Sequence, residues 1–241
     1  MNLHHSWIIT AKDLKAIRRR KTILSTIVLM PLLLSLLFSF VAQYALSTAP
    51  DIKISDITAL LDAFAFWFVI IAAIIPSPIA SYSIVGEKVE KSLEPLLATP
   101  ITDSEILLGK SMAAFIPTMM ASYGGAAIYM AFVDRAAGYL YYPNWEIAVI
   151  LLILAPLTAL LSIELNVIIS SKVTDVRSAS QVGGIVFVPF MGVYIAGEIG
   201  VVTLDTSTLL TFSAIFAVAA AGLFSLSKRT FRREEILTKW K

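Results

Sequence analysis

The chain has no cysteine among its 241 residues, which excludes a disulfide framework, thiolate metal ligation, iron–sulfur clusters and cysteine nucleophiles together. Charge is scarce as well: 15% of residues are Asp, Glu, Lys or Arg, against about 25% in an ordinary soluble domain. The two histidines, His4 and His5, are adjacent. On a helix such neighbours point about 100° apart, and no acidic residue follows before Asp13, so they make no metal site. A net charge of +2 does not supply the basic field of a nucleic-acid binder. Internal repeats, low-complexity tracts and loops large enough to be a soluble domain are missing too.

What fills the chain instead is apolar: 58% of residues are hydrophobic and the mean hydropathy is +0.82. A soluble core of that size would outgrow what a domain of this length can bury. Six runs, over 23–46, 62–85, 111–133, 146–170, 181–197 and 208–227, fall within the roughly 17 to 25 residues that cross a bilayer as helix. The runs are continuous, whereas barrel strands would alternate polar and apolar residues over about ten positions. The fold class expected is an all-α, six-span membrane protein, a single membrane domain over 1–241.

Basic residues near span ends stay on the cytoplasmic side. Seventeen of the nineteen fall before the first span, between spans 2 and 3, between spans 4 and 5, or after the sixth; only Lys53 and Arg135 lie on the other side. The expectation is a multi-pass protein of the cell membrane with both termini cytoplasmic. A cleaved signal peptide is the rival reading of the first 47 residues, but a run of about 24 exceeds the 7 to 15 of a signal core.

Residues 7–21, WIITAKDLKAIRRRK, place Trp7, Ala11, Leu14 and Ile17 on one helical face and Lys12, Lys15, Arg18 and Arg19 largely on another. This predicts an interfacial amphipathic helix whose basic side meets anionic membrane lipid. The connection 86–110, GEKVEKSLEPLLATPITDSEILLGK, is the longest on the predicted cytoplasmic side and the only one dense in both charge signs. Pro95 suits the first turn of a new helix and Pro100 ends it. Leu93, Leu96 and Leu97 then share one face of a short helix, framed by Glu87, Glu90 and Glu94 against Lys88 and Lys91. Such an apolar knob with a charged rim suits docking by a soluble partner; a hairpin lying back on lipid headgroups is the other reading. Thr102 followed by Glu105 predicts a capping box that restarts a helix into the third span. Gly109-Lys110-Ser111 ends like a phosphate-binding P-loop, but Ser104 stands where glycine is required and the context is a membrane-entering helix. Lys110 reads as an interfacial anchor, and no nucleotide-hydrolysing or other catalytic set is present.

Within the spans, Glu164 with Asn166 nearby forms a possible intramembrane polar site. A carboxylate in hydrocarbon needs a partner, water or a proton, and snorkelling towards Lys172 is the alternative. Glu198, between Gly197 and Gly200, suggests a short re-entrant element at the outer face. Pro31, Pro76, Pro78, Pro117, Pro156 and Pro189 put a helix breaker in every span but the last. Phe64, Phe66, Trp67 and Phe68 read equally as lipid-facing packing or a substrate wall.

The run from Glu87 to Lys110 resembles the coupling region of ABC-2 type ATP-binding-cassette permeases. The family's charged start, Thr-Leu-Glu-x-Leu-Leu-x-x-Pro core and later Gly-Lys are matched by Glu87, Leu93, Glu94, Leu96, Leu97, Pro100, Gly109 and Lys110; Ser92 replaces the usual Thr and Lys91 a common Gly. The amino-terminal helix and six-span topology are similar as well. The resemblance implies a permease subunit of an exporter, working as a homo- or heterodimer with a separate ATPase subunit. ATP and Mg would be bound by that ATPase, with no cofactor on this chain. It further implies that Glu87, Leu93, Glu94, Leu96, Leu97 and Pro100 meet the ATPase. An ion-coupled secondary transporter is the alternative, and the cargo is not specified by sequence.

Overall fold

The computed structural model describes residues 3–48, 54–89, 99, 101–173 and 175–230. Among these there are helices and no strand, and six helices are long and apolar enough to cross a membrane. An amino-terminal helix, Leu3–Arg19, is followed after the single residue Arg20 by span 1, Lys21–Thr48. Span 2 runs over Ile54–Ile74 and Pro76–Ser81. Its continuation widens into a π turn, Tyr82–Gly86, before Glu87–Val89.

Span 3 is one helix of 35 residues, Asp103–Ala137. At about 1.5 Å per residue it is about 50 Å long, well beyond a hydrocarbon core of about 30 Å, so it projects from the bundle. It starts at the predicted capping box. Thr102 Oγ1 accepts from the Glu105 amide at 3.4 Å and Glu105 Oε2 accepts from the Thr102 amide at 3.0 Å. It ends at Gly138, whose φ of 76° is a left-handed cap that glycine adopts without a Cβ penalty.

Span 4 joins Trp145–Val149, a π stretch Ile150–Leu154 and Ala155–Lys172. Span 5 joins Val176–Gly184, a tight 3-10 turn Ile185–Phe187 and Val188–Glu198; span 6 is Thr206–Thr230.

The prolines explain most of these irregularities. Pro76 and Pro78 cannot donate to the carbonyls four residues back, so span 2 breaks at Ile75. Beside the break, the Ser162 hydroxyl of span 4 donates to the Ala73 carbonyl at 2.6 Å. The wider turn ahead of Pro156 makes room for its ring against the preceding turn. The re-entrant element expected near Glu198 gives way to a turn: Gly200 has φ 72°, the Val201 and Val202 amides both donate to the Ala196 carbonyl, and Asp205 accepts from the Thr208 amide at the start of span 6. The connection folds back on the end of span 5.

Spans 2 and 4 form the centre. Phe64, Phe66 and Phe68 are buried there, Phe64 stacked on Phe38 with centroids 4.6 Å apart. Trp67, half-buried, leans on Phe38 and Tyr194. The aromatic run is therefore interior packing, because span 2 has neighbours on all sides and offers no lipid face at these positions. The amino-terminal helix lies against the projecting start of span 3. It buries Ser6, Ile9, Thr10, Asp13 and Ile17, while Trp7 and Leu3 remain exposed.

Candidate functional site

Leu93, Glu94, Leu96, Leu97 and Pro100 lie outside the described residues. The chain on either side of them is fixed. After residue 100, the Thr102–Glu105 capping box anchors the start of span 3, and His5 Nδ1 comes within 3.6 Å of Glu105 Oε2. Before residue 90, the end of span 2 is held by a buried ion cluster.

That cluster draws on three elements. Lys110 Nζ, on a side chain 2% exposed, lies 2.9 Å from Glu87 Oε2 and 3.4 Å from Asp13 Oδ2, and donates to the Ser83 carbonyl at 2.6 Å. Ser83 Oγ donates to Asp13 Oδ2 at 2.6 Å. Lys12, at the solvent edge, pairs with Glu87 Oε1 at 2.5 Å. Its partial burial works against its charge, but Glu87 and Asp13 outweigh that and hold its pKa above the ordinary lysine value. A buried cation keeps its charge only when desolvation is offset by paired, hydrogen-bonded anions, and here two carboxylates and a carbonyl supply that.

Gly109, one residue earlier, explains how the helices come close enough. A Cβ there would meet the Ser6 carbonyl oxygen at 2.7 Å and Ile9 Cβ at 2.8 Å, and Thr10 Oγ1 donates to the Gly109 carbonyl at 3.0 Å. The Gly-Lys pair is thus a contact unit: glycine admits the amino-terminal helix and lysine binds it to span 2. Lys110 does not snorkel to an interface; the amino-terminal helix covers it. Glu87 is 7% exposed and engaged by lysines of its own chain.

Glu164 and Asn166 point to different neighbours. Glu164, 3% exposed, accepts from Ser111 Oγ of span 3 at 3.3 Å; the side chain of Lys172 lies outside the described residues. Asn166 Oδ1 accepts from Ser77 Oγ at the span 2 break at 3.0 Å, and its amide donates to the Ser162 carbonyl at 2.7 Å. Gly183 of span 5 packs directly on it: a Cβ there would sit 1.8 Å from Asn166 Oδ1. Two residues apart on a helix, the pair face nearly opposite directions, so they tie span 4 to two neighbours and do not converge on one point.

A second polar cluster, unread in the sequence, closes the opposite end of the bundle. Tyr129 and Tyr142 hydroxyls donate to the Leu61 carbonyl at 3.0 and 3.3 Å. Asn144 reaches Asp62, and Thr206 donates to Glu146 Oε1 at 2.9 Å. Burial, with Asp62 and Glu146 nearby, pushes the Tyr141 hydroxyl up to about 12. Among the described residues no group of three or more His, Asp or Glu could hold a metal ion.

The start of the projecting helix, the glycine contact and the buried lysine all belong to the stretch that carries the family resemblance. The family model described as "ABC-2 type transporter" matches residues 4–195, from the amino-terminal helix into span 5. No curated protein matches the chain. With most of its length matched and six membrane-crossing helices, the chain belongs to the ABC-2 type transporter family and is a multi-pass membrane permease component of an ABC transporter.

Proposed function

We propose that this permease is one half of an export path, paired with a second permease of the same or another kind and driven by a separate ATPase subunit docked on residues 86–110. Both termini then face the cytoplasm, as the distribution of basic residues favours. Leu93, Leu96 and Leu97 are the apolar anchors on the ATPase, with Glu94 as a polar contact and Pro100 as the stop that ends the docking helix. ATP and Mg are handled by that partner.

The observation that carries this reading is the mount at both ends of the docking segment. Glu87 at one end is bound to Lys110, which sits on span 3 itself, and the capping box fixes the other end. A displacement applied between residues 90 and 100 therefore reaches span 2, span 3 and the amino-terminal helix together. Glu87, a polar contact in the docking reading, also belongs to this mount, where Lys110 and Lys12 hold it. The secondary-transporter alternative would rest on Glu164, which accepts a hydrogen bond from Ser111 of span 3.

Affinity purification of the tagged chain from its own cells in mild detergent tests the proposal, comparing wild type with a Leu96→Asp, Leu97→Asp double variant. A Walker-type ATPase is expected with wild type and lost from the still-folded variant. Its absence from wild type, with ATP and a crosslinker present, refutes the docking assignment.

A further inference from the structure

Spans 1 and 3 touch at Gly125 and part beside it. A Cβ on Gly125 would meet Ser35 Oγ at 2.9 Å and Pro31 Cβ at 3.0 Å, whereas one on Gly124 would meet nothing within 4 Å. The gap is a cavity of about 420 Å³ whose lining includes Leu24, Val28, Pro31, Pro117, Met120 and Gly124. That volume lies within the roughly 300–1,000 Å³ of small-molecule sites. Two compact proline rings and a glycine without a side chain leave it unfilled.

Every described residue that lines this cavity is apolar, while cavities nearer the ends of the bundle include charged side chains. It lies within the membrane-crossing parts of both spans, and Leu24 to Leu32 cover about 12 Å along span 1 at 1.5 Å per residue. It is a groove rather than a closed void, because Leu24 and Val28 are exposed along its edge and Met120 is 71% exposed. An apolar recess of this kind does not hold water, and at this depth it opens on lipid acyl chains.

Charge marks one end of the groove. Lys21, exposed at the first residue of span 1, precedes Val28 and Leu32 by seven and eleven residues and so shares their side of the helix. An anionic headgroup at Lys21 with its chain along Leu24 to Leu32 satisfies both parts. A second copy fits this face less well: two copies share one orientation in the membrane, and a two-fold axis along its normal would bring the two Lys21 side chains to the same end of the contact, where like charges repel.

We infer that the groove between spans 1 and 3 holds one acyl chain of an anionic phospholipid whose headgroup sits at Lys21. The bound chain fills the space beside Gly124 and packs spans 1 and 3 together where their own side chains do not. This inference does not depend on the ATPase-docking segment or on the direction of transport.

Native mass spectrometry of the full chain in mild detergent, titrated with phosphatidylglycerol or with phosphatidylcholine, tests it. Wild type is expected to retain one phosphatidylglycerol saturably and more tightly than phosphatidylcholine. Gly124→Leu fills the groove without meeting protein atoms at its Cβ and weakens that retention about tenfold, since losing the burial of about two methylene groups already amounts to that factor. Gly222→Leu, on span 6 and equally free of neighbours, makes the same change in helix propensity outside the groove and leaves retention unchanged. Lys21→Gln brings phosphatidylglycerol down to the phosphatidylcholine level. Because the chain has no cysteine, Met120→Cys places a single thiol per chain at the groove, and oxidation in nanodiscs is expected to leave the chains uncrosslinked. The inference is overturned if wild type retains no lipid saturably, if Gly124→Leu retains it like wild type, if Gly222→Leu loses as much as Gly124→Leu, if Lys21→Gln keeps the preference for phosphatidylglycerol, or if Met120→Cys joins two chains, which would make a second copy the occupant.

Discussion

Replacing Lys110 with methionine keeps most of the length and volume of the side chain and removes its charge and its N–H donors. Two carboxylates are left behind, Asp13 and Glu87, on side chains only 8% and 9% exposed. Removing one partner of a buried pair costs about 3–5 kcal/mol, because the remaining charge stays desolvated. Lys12 compensates in part, being 2.5 Å from Glu87 and 3.7 Å from Asp13, but its side chain is 52% exposed and solvent screens it. That sets the expected loss near the lower end, about 3 kcal/mol. At roughly 2–4 °C per kcal/mol for a chain of this size, the unfolding midpoint in detergent falls by about 6–12 °C. The triple variant Lys110→Met, Glu87→Gln, Asp13→Asn removes the stranded charges along with the lysine and recovers most of the loss. A Lys110→Met midpoint within about 2 °C of wild type, or a triple variant less stable than the single, refutes the view that a compensated buried cluster holds the amino-terminal helix to spans 2 and 3.

Other perturbations probe the neighbouring contacts. Gly183→Ala puts a Cβ 1.8 Å from Asn166 Oδ1 and should cost about 1–3 kcal/mol by overpacking, read as a lower unfolding midpoint that Asn166→Ala partly restores. Thr102→Ala removes the cap on span 3 and should cost about 1 kcal/mol, with faster amide exchange confined to its first turn. Hydrogen bonds from the Ser178 amide and hydroxyl hold the Asp175 carboxyl below the usual carboxylate range. The advantage of wild type over Asp175→Ala is therefore complete above the unfolded-state value of about 3.9 and is lost as pH falls through the lower folded-state value; unfolding midpoints at pH 6 and pH 3 check the sign.

The sequence by itself determined what local chemistry decides. Six apolar runs had to become helices, since an unpaired backbone group in hydrocarbon costs several kcal/mol, and the Thr102–Glu105 spacing set the start of span 3 because a capping box closes within four residues. The breaks in spans 2, 4 and 5 fall next to Pro76, Pro156 and Pro189, whereas Pro31 and Pro117 leave the helices of spans 1 and 3 continuous. The family resemblance, too, was carried by a contiguous run, Glu87 to Lys110.

Tertiary structure decided the partners. Lys110 and Asp13 are 97 residues apart, and nothing near either one in the chain shows that they meet. The available signal was the spacing Ser6, Ile9, Asp13, Ile17, which puts the carboxylate on the buried side of the amino-terminal helix; the apolar stripe of Trp7, Ala11 and Leu14 masked it. Phe66 and Phe68 became core, and Glu164 and Asn166 went to different neighbours, because helix order in the bundle assigns each face its surroundings. Hydropathy measures how much of a helix avoids water, but it does not say which side meets protein and which meets lipid, since both are apolar.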